Sequence, residues 1–147
     1  MNPNKDPYSN QGDSRDTPAR QKLVSLRESL LHIHKALLEM ERRKYEKDHG
    51  VVTTGELFRL VVDDQNFSWL HNISEFVVRI DESLAGEDGV TNEDANGSMS
   101  LARKMFAPTE NGDSFQKKYF AALQNDPAVV MEHGQLARLF QNESPNE

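Results

Sequence analysis

Cysteine is absent from the 147-residue chain. That excludes disulfides, thiolate metal sites and a cysteine nucleophile. Long apolar runs are missing as well. No stretch approaches the roughly 18 consecutive apolar residues that a membrane-crossing helix needs, and no apolar segment follows Met1, so no secretory leader is expected. Positive charge is in deficit, with 17 Lys and Arg against 24 Asp and Glu, for a net charge of −7. Binding that works by neutralising phosphates, on nucleic acid or on an anionic membrane, is therefore not expected. The one basic cluster, Arg42-Arg43-Lys44, is interrupted by acids and lacks an aromatic stacking platform, so single-stranded nucleic acid is not expected either. The phosphate loop, Gly-x-Gly-x-x-Gly, Gly-x-Ser-x-Gly and His-Glu-x-x-His motifs are all missing. These exclusions lead to an acidic, soluble, cytoplasmic protein with no recognisable catalytic motif, which argues against an enzyme.

What is present is helical periodicity. Residues 1–17 carry one aromatic, Tyr8, and no aliphatic side chain, and residues 141–147 are similar. Neither can bury enough apolar surface to offset the entropy of ordering, so both are expected to be disordered. One domain is expected between them, over residues 18–140. Leu23, Leu26, Leu30, Ile33, Leu37 and Met40 recur at steps of three and four, beside a second row of Val24, Leu31, Leu38 and Tyr45. They predict a long helix over about 18–48, stopped by Gly50. Thr53 and Glu56 form a capping box for a short helix through Leu57, Phe58, Leu60 and Val61. A second long helix is expected over about 66–84, capped from Asp63, Asp64 or Asn66. It would bury Trp69, Leu70, Ile73, Phe76, Val77, Ile80 and Leu84. Residues 85–98 read as an acidic, mobile loop whose last part, from Thr91, begins a helix carrying Met99, Leu101, Met105 and Phe106. Asp113 with Gln116 opens another helix, and Asp126-Pro127 starts the last, with Val129, Val130, Leu136 and Phe140 on its apolar face. No stretch alternates like a strand. The fold expected is all-α, an antiparallel helical bundle with two longer helices and several shorter ones.

Several polar side chains fall on the apolar faces. Arg27, His34 and Glu41 are seven apart, with Tyr45 one turn beyond. Ser74 and Asp81 border the apolar face of the second long helix, and Tyr119 and His133 sit on later ones. These eight residues could converge in the interior as a hydrogen-bonded network or as a binding pocket. If the long helices run antiparallel, Arg27 should meet Asp81. No complete metal-ligand set exists at helical spacing, so no metal and no cofactor is expected. Glu46-x-x-His49 lies at a helix end, and in His71-x-x-x-Glu75 the acid points away from the apolar face. Trp69 and the methionines Met99, Met105 and Met131 read as core filling, and the charged run from Lys35 to Asp48 as a solvated helix end.

Three stretches resemble a known group: His34 to Leu38 with Glu41, Arg42, Tyr45 and Glu46; Phe67 to Leu70 with Ser74, Ile80 and Asp81; and Asp126 to Val130 with His133. Over roughly residues 20–140 the chain is similar to a group of small, uncharacterised bacterial all-helical proteins. The resemblance implies nothing about activity, ligand or partner. The residues favour a non-enzymatic interaction or regulatory protein, with a protein partner or a homodimer through exposed parts of the first helix. One alternative is a bundle that binds a small molecule at the Arg/His/Glu/Asp cluster. Another is a metalloprotein or enzyme using His34, Glu41 and His133.

Overall fold

A computed structural model describes residues 16–142. The chain there is all-helical, with no strand among the described residues: α1 Pro18–His49, α2 Thr54–Asp63, α3 Gln65–Ser68, α4 His71–Ala85, α5 Asn92–Met105, α6 Ser114–Asn125 and α7 Pro127–Asn142. None of these helices is long and apolar enough to cross a membrane. The arm expected over 1–17 lies outside the described residues apart from Asp16 and Thr17, and Thr17 caps α1 by accepting the Arg20 N–H. Of the tail expected over 141–147, Gln141 and Asn142 belong to α7, and the rest lies outside the described residues.

α1 has 32 residues and is about 48 Å long. It ends at Gly50, whose φ of 83° suits a residue without a Cβ, and whose N–H closes the last turn on the Glu46 carbonyl. Leu23, Leu26, Leu30, Ile33 and Leu37 are at most 1% exposed. Each contributes about 1.5–3 kcal/mol relative to leaving it in water. The helix is the hub: α7, α5 and α4 pack along it, α6 rests on α7, and α2 packs on α3. Ile73, Phe76 and Ile80 of α4, Met99 and Ala102 of α5, and Val129 and Leu136 of α7 close the core around it. At one end Trp69, Phe106, Phe115 and Tyr119 form an aromatic group. Phe106 meets Phe115 and Tyr119 nearly edge-on, at centroid distances of 5.4 and 5.1 Å.

Three links relate α1 to α4. Arg20 Nη1 donates to the Leu84 carbonyl, Arg27 pairs with Asp81, and His34 meets Ser74. The residue numbers rise along one helix as they fall along the other.

The helix expected over 66–84 is divided. α3 ends at Ser68, and Trp69 and Leu70 form a tight turn in which the Leu70 N–H donates to the Phe67 carbonyl and the Ile73 N–H to the Leu70 carbonyl. The cause is burial. Phe67 and Trp69 are both in the core, yet side chains two apart on a regular helix point about 200° away from each other. Breaking the helix brings both inward. Other expectations of burial also fail. Leu31 is 39% exposed, Val130 48% and Met131 73%, because no neighbouring helix covers those margins. α2, the short helix expected through Leu57, Phe58, Leu60 and Val61, is formed but buries none of its residues.

Candidate functional site

The eight polar residues singled out by helical spacing do not converge. They form separate small groups along the bundle. Arg27 Nε lies 2.5 Å from Asp81 Oδ1 at the rim, where both side chains remain well exposed. His34 Nε2 lies 3.3 Å from Ser74 Oγ. Seven residues separate Arg27 from His34, which places the two groups about 10 Å apart along the axis. His34 is half-buried. Burial, and then the charge of nearby His71, push its pKa below the usual histidine value. His71 itself is held by the Val61 carbonyl at 2.7 Å, which ties α4 to the end of α2.

Tyr119 and His133 make a third group, between α6 and α7. The phenol oxygen is 2.6 Å from His133 Nδ1, and Tyr119 is fully buried. Burial raises the pKa of the phenol strongly and lowers that of the imidazole, so both stay neutral near pH 7. A neutral phenol donates its O–H to Nδ1, leaving the ring proton on Nε2. Among the described residues no acidic group pairs with this histidine, and the contact is that of a satisfied core pair.

Tyr45 stacks on His49 at 4.0 Å. The Glu46-x-x-His49 pair is occupied by the chain itself: Glu46 accepts the Val52 N–H, and the His49 ring bonds the Tyr45 carbonyl. Among the described residues no three His, Asp or Glu side chains come together as a metal site would require.

Glu41 stands apart from the other seven. It is 6% exposed and lines a partly open hollow of about 760 Å³ between the C-terminal half of α1, Trp69 and the corner joining α6 to α7. Arg43, Lys44, Lys47 and Lys118 line the same hollow, together with Asp126. Asp126 is 7% exposed. One of its oxygens takes Arg43 Nη2 at 2.6 Å. The other caps α7 by accepting the N–H groups of Ala128 and Val129. Lys44 Nζ reaches Glu41 Oε1 at 3.5 Å. Spacing signalled only Glu41 here. Arg43, Lys44 and Lys47 fall within a run that reads as a solvated helix end, and nothing local links them to Lys118 or Trp69. Their meeting depends on how α6 is placed against α1.

A second surface feature is α2. Phe58 is 71% exposed and Val62 54%, one turn apart on the same face, and Val51 just before the helix is 89% exposed. The sequence placed the exposed apolar surface on the first helix instead.

No family model, curated protein or solved structure matches the chain.

Proposed function

We propose that this is a non-enzymatic, cytoplasmic interaction protein, built on an antiparallel helical bundle, that pairs with a second copy of itself through α2. The observation that carries the reading is that α2, alone among the described helices, buries none of its residues while exposing Phe58 and Val62 side by side. An amphipathic helix earns its burial by packing, and this one packs chiefly on its small neighbour α3. Gly55 adds support. It lies one turn before Phe58 and Arg59, and the space where a Cβ would stand is open, so a second helix can approach closely. α2 also carries both signs of charge, Arg59 between Glu56 and Asp63.

A ten-residue helix buries far less than the ~1,600 Å² of a stable complex, so the dimer should be transient. Light scattering after gel filtration, run from micromolar to submillimolar protein, tests the proposal. The expected result is a dimer that grows with concentration and vanishes in Phe58→Asp, with the helical circular dichroism of that variant unchanged. A chain that stays monomeric throughout, or a dimer that survives Phe58→Asp, would reject it.

A further inference from the structure

The hollow beside the C-terminal half of α1 holds charge that its own contacts leave unmatched. Arg43 is taken by Asp126, and Lys44 by Glu41. Lys47 and Lys118 have no acidic partner among the described residues. Two positive charges are thus in surplus at this one mouth, on a chain whose net charge is −7. Met40, Trp69, Ala122 and Pro127 give the same hollow an apolar part, beside Asn66 and Asn125. A volume of about 760 Å³ falls within the ~300–1,000 Å³ of small-molecule sites. Its lining is more polar than that of most such sites, which suits a charged ligand head.

We propose that this hollow binds a small organic dianion: a phosphate monoester on a flat apolar body. The phosphate would sit between the Lys47 and Lys118 ammonium groups, whose two charges match its own. The body would lie against Trp69 and Met40. Glu41 and Asp126 are matched by Lys44 and Arg43 and so leave the charge of Lys47 and Lys118 uncancelled.

Trp69 is the one tryptophan of the chain, so its indole N–H gives a single resonance that reports on the wall directly. The probe is phenyl phosphate, kept dianionic above its second pKa near ~6 and titrated into the ¹⁵N-labelled full-length protein. The expected result is a saturable shift of the Trp69 indole signal, with tighter binding than inorganic phosphate or benzyl alcohol shows. The double variant K47Q/K118Q, at two exposed positions, should keep its spectrum and bind about tenfold more weakly or worse. The inference is overturned by no shift at all, by equal affinity for inorganic phosphate or benzyl alcohol, or by an affinity that K47Q/K118Q leaves unchanged. Its failure is separable from that of the α2 dimer, because the same titration on Phe58→Asp reads the hollow alone.

Discussion

Arg27 and Asp81 meet at 2.5 Å, while their side chains keep 36% and 47% of their surface in contact with solvent. Water therefore screens the pair, and each long side chain gives up rotamer freedom to hold it. The expected coupling in a cycle of Arg27→Ala, Asp81→Ala and the double variant, measured by urea unfolding, is about 1 kcal/mol or less. A coupling above about 2 kcal/mol would show that the pair is desolvated after all. The partners could be read from the sequence because the seven-residue spacing fixes which way each side chain points. Depth could not, because it depends on how closely the next helix covers the rim. The same separation of direction from depth accounts for Leu31, which points correctly and stays 39% exposed, and for Glu41, a carboxylate that is 6% exposed. Tyr119 and His133 were both singled out on apolar faces, but the hydrogen bond that joins them depends on the α6–α7 corner.

Helix starts are governed by the few residues around them, and these were legible. The capping boxes of Thr53 with Glu56 and of Asp113 with Gln116 are both formed. The box of Thr91 with Asp94 opens α5 in the same way, at the position where the loop was expected to turn helical. What local signals did not reveal was the turn at Trp69–Leu70 and the isolation of α2. Both depend on which neighbours are present to bury a side chain. Asp126 joins the two kinds of information, since it caps α7 locally and pairs with Arg43 of α1 across 83 residues. Replacing it with alanine removes the cap, worth about 0.5–2 kcal/mol, and leaves the Arg43 guanidinium without its acid. The expected total loss is about 2–3 kcal/mol by urea unfolding. Asp126→Asn keeps an oxygen for the Ala128 N–H and should lose roughly half as much. Equal losses in the two variants would show that the ion pair, and not the cap, dominates.

Across the whole molecule two half-buried histidines, His34 and His133, act in the same direction, although they belong to different helix contacts. His34 lies between α1 and α4 beside Ser74 and His71, and His133 lies against the buried Tyr119. Burial lowers both pKa values below that of an unfolded histidine, and in His34 the charge of His71 adds to the effect. The unfolded chain consequently takes up protons at a higher pH than the folded one. The stability these groups confer is fully present above the unfolded pKa of about 6.5 and is lost as pH falls towards their lower folded values. A net charge of −7 works the other way, because protonation relaxes self-repulsion. That term is spread over exposed charges and is screened within about 8 Å at physiological salt. The buried histidines should therefore prevail, and the melting temperature at such salt should fall between roughly pH 7 and pH 5. The variant H34Q/H133Q keeps polar groups at both sites and removes both titrations, so its melting temperature should change less over the same interval. A wild-type melting temperature that rises on acidification, or a double variant with the same slope, would place the pH dependence elsewhere in the molecule.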